Sequence, residues 1–185
     1  VAPIAVDDAG RNAIIVVAGA NGMLTPADID AAAPMIRGAR VLLCQLEVPI
    51  ETTLRALAIA RAAGVTTILN PAPAPGVLSD DLLRVSDLVC PNETEASAIT
   101  GIAVVDASSA EAAGRALVAR GAGAAILTLG AEGCLFVSGA EVWRAPAPTV
   151  RAVDTTGAGD CFLGSLAYFL SAGAALREAA TRAVA

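Results

Sequence analysis

The 185-residue chain contains no histidine and no lysine, and its 12 basic residues are all arginine. A histidine base, a histidine metal ligand and the lysine of a P-loop are therefore excluded within it. Aromatic residues make up only 3%. No uninterrupted apolar run approaches the ~18 residues of a membrane span. The four cysteines, Cys44, Cys90, Cys134 and Cys161, stand 46, 44 and 27 positions apart, and no pair has the close spacing of a metal site. Three lie in apolar runs and read as small buried thiols, which suits a reducing cytoplasm. Positive charge is scarce: 18 acidic residues give a net charge of −6, which argues against a nucleic-acid surface. Asp7, Asp8 and Arg11 interrupt what would be the core of a signal peptide, and the first residue is Val1 rather than Met. The expectation is a cytoplasmic chain, away from membranes and nucleic acid, that begins partway through a longer protein.

What is abundant is small and apolar. The chain is 56% hydrophobic and counts 44 alanines. This composition excludes low-hydrophobicity disorder and a disulfide scaffold. Short β-branched runs alternate with alanine-rich helical runs. Strands are expected at Asn12–Ala18, Arg40–Leu46, Val65–Leu69, Ser86–Cys90 and Ala124–Leu129. Helices are expected from Thr25-Pro26, an N-cap followed by proline at the first helical position, to Gly38. Others are expected at Ile50–Ala63, from Asn92, at Ser109–Arg120 and at Cys161–Ser171, with a last one reaching Ala185. Cys134–Ser138 and Glu141–Arg144 read as a hairpin across Gly139-Ala140, and Thr149–Val153 as extended chain. Strand–helix alternation implies a mainly parallel sheet flanked by helices, with an antiparallel edge supplied by the late hairpin. Ligands of such sheets bind at the carboxyl ends of the strands.

Four of the loops at those ends carry residues with chemistry. Asp154-Thr155-Thr156-Gly157-Ala158-Gly159-Asp160 opens a helix. Its glycines let main-chain N–H groups approach an anion at the positive end of the helix dipole. Asp160 is either a helix cap or a general base that takes a proton from a hydroxyl attacking phosphorus. Pro91-Asn92-Glu93-Thr94-Glu95 is either a plain capping box or a site where Asn92 meets a phosphate and Glu95 holds water on Mg²⁺. Thr128-Leu129-Gly130-Ala131-Glu132-Gly133 is either a tight turn or a backbone bed for a nucleotide. Gln45-Leu46-Glu47 is either a solvated strand end or a polar pair that meets sugar hydroxyls.

Asp154–Asp160 resembles the second signature of the phosphofructokinase-B (PfkB) carbohydrate kinases. Ala18-Gly19-Ala20-Asn21, Gln45-Leu46-Glu47-Val48-Pro49, Asn70-Pro71-Ala72-Pro73-Ala74, Pro91–Ala96 and Thr128-Leu129-Gly130 resemble, in order and spacing, the ribokinase branch of that family. The likeness runs from Val1 to Ala185. It implies a ribokinase-like three-layer α/β sandwich, with residues 1–18 a remnant of a lid sheet and 19–185 a partial nucleotide-binding domain. It implies ATP-dependent phosphorylation of the ribose 5-hydroxyl, Mg²⁺, an activating K⁺ and a homodimeric parent protein. Carried across residue by residue, Asp160 is the base, and the amides of Gly157, Ala158 and Gly159 form the anion hole. Asn92 and Thr128, Leu129, Gly130, Ala131, Glu132 and Gly133 bind ATP together with Gly159. Glu47 and Asp160 meet ribose, Glu95 serves Mg²⁺ through water, and Asp154 and Thr156 serve K⁺. Gly157 stands where some ribokinases carry Ala, a change that keeps the N–H. The family pattern also has a beginning and an end that this sequence lacks, including most sugar contacts. Two alternatives follow: a PfkB-family kinase for another sugar or a nucleoside, or a catalytically incompetent fragment that at most binds nucleotide. A nicotinamide-dependent dehydrogenase fits poorly, since no G-x-G-x-x-G follows an early strand.

Overall fold

The computed structural model describes residues 2–6, 12–152 and 154–185. Two short strands, β1 (Ile4–Val6) and β2 (Asn12–Ile14), pair antiparallel as a small sheet of their own. The main sheet has six strands: β3 (Val41–Cys44), β4 (Thr66–Leu69), β5 (Leu88–Val89), β6 (Ala124–Thr128), β7 (Cys134–Ser138) and β8 (Val142–Ala145). They lie side by side in chain order; β3 to β6 are parallel, and β6, β7 and β8 are antiparallel. The helices are α1 (Pro26–Gly38), α2 (Ile50–Ala62), α3 (Asp80–Arg84), α4 (Glu93–Thr100), α5 (Ala107–Ala119), α6 (Ala158–Ser171) and α7 (Leu176–Val184).

Strands β4 to β7 are buried on both faces and β3 is half-buried, and the two-residue period of a strand divides their side chains between two cores. Leu69, Val89, Ala125, Leu127 and Val137 face Leu57, Leu83, Ile99 and Leu117, which come from helices α2 to α5. Their neighbours Ile68, Leu88, Ala124, Ile126 and Phe136 face Phe162, Leu163 and Leu166 of α6 and Ala179 of α7. The result is three layers, helix on sheet on helix, as the alternation in the sequence implies. A third cluster joins Ala33 and Ile36 of α1 to Ala56, Ile59 and Ala60 of α2 beside β3. Strand β3 has β4 as its single neighbour among the described residues, so its other side is an open sheet edge.

Local signals account for the helix starts. Thr25 caps α1 and forms a reciprocal capping box with Asp28, with Pro26 at the first helical position. Asn92 and Glu95 do the same for α4, and Asp106 and Ser109 for α5. Helix α2 gives way at Gly64, where φ of +75° suits glycine. The hairpin across Gly139-Ala140 is present, and its Phe136 and Trp143 rings stack with centroids 4.7 Å apart.

Several expectations are corrected. The strand expected over Asn12–Ala18 stops at Ile14, because the facing β1 offers only three residues to pair with. Ile15, Val16 and Val17 lie beyond the ladder and are exposed. Helix α6 begins at Ala158, three residues before the expected Cys161. Helix α3 and strand β1 were not anticipated: each is too short to show a period. Thr149–Ala152 joins no strand, which does not bear on the expectation of extended chain there, and Val153 lies outside the described residues.

Helix α5 packs so closely on the sheet that a Cβ on Gly114 would stand 2.7 Å from Val137 Cγ2 and 3.2 Å from Leu127 Cδ1. Replacing glycine by alanine in an exposed helix gains about 1 kcal/mol. Here overpacking, which costs about 1–3 kcal/mol, opposes that gain. Gly114→Ala is expected to lower the urea unfolding midpoint, and a raised midpoint would contradict this packing.

Candidate active site

The carboxyl ends of β3, β4, β5 and β6 all deliver their loops to the same edge of the sheet, where the start of α6 meets them. Gln45 and Glu47 follow β3, Asn70 and Ala72 follow β4, and Cys90 and Asn92 follow β5. With Glu95, Thr128, Gly157, Gly159, Asp160 and Leu163 they line a cavity of about 220 Å³. A second cavity of about 320 Å³ adjoins it through the shared residues Asn92, Thr128 and Gly159. Its other walls are Glu93, Gly130, Gly133, Ala147, Ala158, Phe162, Ala183 and Val184. A small polar chamber thus opens into a larger and more apolar one.

The start of α6 presents main-chain donors of the kind an anion can use. Gly157, with φ of +75°, turns the chain into the helix. The N–H groups of Gly157, Gly159 and Asp160 have no acceptor among the described residues, whereas the Ala158 N–H bonds Thr155 O at 3.1 Å. The free amides sit at the helix end that carries about +0.5 of an elementary charge. Asp160 lies in the same turn and is exposed. Gln45 Nε2 donates to its Oδ1 at 2.8 Å, bridging a separation of 115 residues in the chain.

Of the two readings the sequence left open for the Asn92–Glu95 motif, the capping box is present. Glu95 N–H donates to Asn92 Oδ1 at 2.8 Å, and Asn92 N–H donates to Glu95 Oε2 at 2.9 Å. This box uses the acceptor atom of Asn92 and leaves its Nδ2, a donor, without a protein partner among the described residues. It likewise leaves Glu95 Oε1 without one. Both residues still line the polar chamber.

The loop after β6 is a backbone frame. Leu129 N–H donates to Gly133 O at 2.8 Å, Glu132 N–H to Leu129 O at 2.9 Å, and Gly133 N–H to Gly130 O at 3.1 Å. Gly133 has φ of +86°, and a Cβ there would stand 2.6 Å from Ala147 N and collide with Ala145 O. Only glycine fits at this point. Glu132 points elsewhere and pairs with Arg144 at 3.2 Å.

Asp154 and Thr156 are not among the residues that line either chamber. Asp154 Oδ1 accepts the Thr156 N–H at 2.8 Å, and that bond, with the Thr156 side chain, holds its carboxyl below the ordinary carboxylate range. Among the described residues no three Cys, Asp or Glu side chains converge as a metal-holding group. Burial pushes the Cys90 thiol well up, with Cys134 nearby adding to the shift, so the cysteine of the polar chamber is a neutral thiol rather than a nucleophile.

Asn70 had been given no site role, and Gln45 had been read only as one of a polar pair with Glu47, not as a partner of Asp160. Asn70 is buried, with Nδ2 donating to Cys90 O at 2.8 Å. The available signal is a polar residue ending an apolar strand, at 45 and again at 70. No helix among the described residues is long and apolar enough to cross a membrane.

Comparison with known proteins gives this geometry its setting. The chain is 45% identical over 172 residues to mouse ribokinase, covering 92% of this chain and 53% of that protein. It is 38% identical over 169 residues to deoxyribokinase of Salmonella typhi, covering 91% and 55%. The structure of Arabidopsis thaliana ribokinase complexed with ribose and ATP superposes with a TM-score of 0.87 at 28% identity, covering 99% of this chain and 61% of that one. The chain spans about half the length of these relatives. The pattern of the pfkB family carbohydrate kinases matches residues 1–185. With strand order, flanking helices and glycine turn all in agreement, the chain belongs to the pfkB family of carbohydrate kinases.

Proposed function

We propose that the whole protein carrying this chain transfers the γ-phosphoryl group of ATP to the 5-hydroxyl of ribose, giving ribose 5-phosphate and ADP. The carrying observation is the pairing of a carboxylate, Asp160, with unpaired main-chain N–H groups in one turn of α6. Support for the substrates comes from the likeness to ribokinases, one of them complexed with ribose and ATP.

In this reading the nucleotide lies along the larger chamber, on the Gly130–Gly133 frame and against Thr128, with its phosphates directed toward Asn92 and α6; Leu129, Ala131 and Glu132 do not line that chamber and serve by shaping the frame. The apolar walls from Phe162 and Val184 suit a purine. Asn92 Nδ2 donates to a phosphate oxygen. The sugar enters the polar chamber, where Glu47 accepts a hydroxyl and Asp160 takes the proton of the attacking 5-hydroxyl. The new bond joins that oxygen to the γ-phosphorus, and the bond to the β–γ bridging oxygen breaks, leaving ADP. Charge gathering on the transferred group meets the amides of Gly157 and Gly159, with that of Ala158 recruited from its turn. Such a reaction needs alignment and charge stabilisation more than covalent chemistry. A chain without histidine or lysine is equipped for it.

The polar chamber holds Glu47, Glu95 and Asp160 and no arginine. Three carboxylates facing a triphosphate require a cation between them, and a hydrated Mg²⁺ meets that need. Glu95, with Oε1 unspent, fits as its water-mediated holder, and the ion would neutralise phosphate charge. Asp154 and Thr156 fit K⁺ less well, because Asp154 Oδ1 is already tied to the Thr156 N–H. They act first as fixers of the turn, and no step is assigned to that ion. By the same family likeness, residues 1–18 form part of a lid over the sugar and the whole protein is a homodimer of the cytoplasm.

Asp160→Asn in the whole protein removes proton abstraction and is expected to lower kcat by about 10²–10⁴. Turnover near that of the unaltered protein would overturn the assignment. The same assay run with 2-deoxyribose, fructose and adenosine tests the substrate; a preference for any of them over ribose would replace ribose in the reading.

A second reading concerns the 185-residue chain by itself, and the open edge of β3 favours it. Beside that edge lies an apolar groove of about 410 Å³ between α1 and α2, walled by Leu24, Ile29, Ile36, Leu42 and Ala56. With the sheet edge uncovered and about half of the relatives' length outside it, the isolated chain is expected to bind nucleotide weakly and to show no ribose-dependent release of ADP. Such release, measured by a coupled assay on the chain alone, would overturn this reading.

A further inference from the structure

We propose that Gln45 is a positioning residue, which reserves Oδ1 of Asp160 as a hydrogen-bond acceptor and so directs the abstracted proton to Oδ2. This inference rests on the assignment of Asp160 as the base and adds to it which oxygen acts and what orients it.

The argument starts from a group that can only accept. The main-chain carbonyl of Cys90 receives Asn70 Nδ2 at 2.8 Å in a buried contact. A carbonyl carries no proton, so the NH₂ end of Asn70 must face it. The oxygen of Asn70 is thereby turned toward β3, where Gln45 Nε2 stands 3.5 Å from it. That contact is long and adds little energy, but it settles orientation. A flipped Gln45 would set its oxygen against both Asn70 Oδ1 and Asp160 Oδ1, three acceptors without a proton among them. With the NH₂ end inward, one hydrogen points to each oxygen. The orientation of Gln45 is therefore fixed by a strand carbonyl two elements away, and the bond to Asp160 Oδ1 at 2.8 Å is its consequence.

The two ends of that bond differ in how firmly they are held. Gln45 is pinned at the backbone: Thr53 Oγ1 donates to its carbonyl at 3.2 Å, and the N–H of the next residue, Leu46, donates to Ala72 O at 2.9 Å. Thr53 is itself buried. Asp160 is exposed, follows a glycine, and has Gln45 as the one hydrogen-bonding partner of its carboxylate among the described residues. Without Gln45 the carboxylate would be free to rotate at the third residue of α6. With it, the plane of the carboxylate is fixed and Oδ1 shares its charge with the amide donor, which makes Oδ2, the oxygen without a donor, the more basic of the two and the one left open to the acceptor hydroxyl. The order of an amide relay anchored at the buried Asn70 is thus transmitted to a side chain that the local sequence leaves loose.

The test is a double-mutant cycle in the whole protein. Gln45→Met keeps the length of the side chain and removes the donor; Gln45→Glu keeps the shape and turns the donor into an acceptor. Each is expected to lower kcat by about 10- to 100-fold, the scale of a misplaced catalytic group, with KM for ATP unchanged. When added to Asp160→Asn, Gln45→Met is expected to cause no further loss, because the residue acts through the base. A kcat equal to that of the unaltered protein in both Gln45 variants would overturn the proposal. So would an equal fold-loss in the Asp160→Asn background, which marks a merely structural role. If Asp160→Asn itself keeps full turnover, the base assignment fails and this inference fails with it; if Asp160→Asn is impaired and the Gln45 variants are not, only this inference fails.

Discussion

Positive charge is the scarce quantity around which this site is organised. The chain has no lysine or histidine, and none of its arginines lines the polar chamber. An anion placed there must be held by main-chain N–H groups, and the fold supplies them where α6 begins. That arrangement depends on glycine at 157, where φ is positive, and on the glycine at 159, which carries no side chain over the amides. It also depends on the sheet. The parallel strands β3 to β6 all end at one edge, so polar residues from four separate loops reach the helix end together. The hydrophobic cores on both faces fix the strands, and the strands fix the edge.

Several side chains serve the fold and the chamber at once. Asn92 and Glu95 close a capping box that starts α4, and the atoms left over by that box are a donor amide and a carboxylate oxygen of the kind a phosphate and a hydrated cation need. Asn70 satisfies the last carbonyl of a strand and, in doing so, sets the direction of Gln45. Gly133 permits a close approach of the β6–β7 loop to the chain after β8 and shapes the frame on which we propose the nucleotide lies. Stability and chemistry are therefore not separable at these positions by deletion alone, which is why shape-preserving substitutions are the informative ones.

The layered architecture was legible because it rests on short-range regularities. Thr25-Pro26, Asn92 to Glu95 and Gly64 mark helix ends by local chemistry, and the apolar runs at 41–44, 66–69 and 124–128 mark strands, the last two buried and the first half-buried at the sheet edge. The glycine turn at 157–159 was legible from its residue types, and the family resemblance gave the order of the loops. Elements too short to show a period, β1 and α3, were not legible, and the end of β2 was set by the length of its partner rather than by its own residues. Nor was the Gln45–Asp160 bond. Its partners are 115 residues apart, and each alone reads as a strand end or a helix cap. Of the alternatives offered for Asn92 and Glu95, the cap is present, and it leaves one polar atom of each residue free for the site we propose.

The central claim is that the Asp160 carboxylate stands beside both the acceptor hydroxyl and the main-chain N–H groups of its own turn. A crystal structure of the whole protein with ribose and a non-hydrolysable ATP analogue tests this most directly. The account predicts Asp160 Oδ2 within about 3 Å of the 5-hydroxyl, the hydrogen-bond reach required of a general base, with the terminal phosphate on the amides at Gly157 and Gly159. An Asp160 side chain turned to solvent, with the hydroxyl bonded elsewhere, would contradict it.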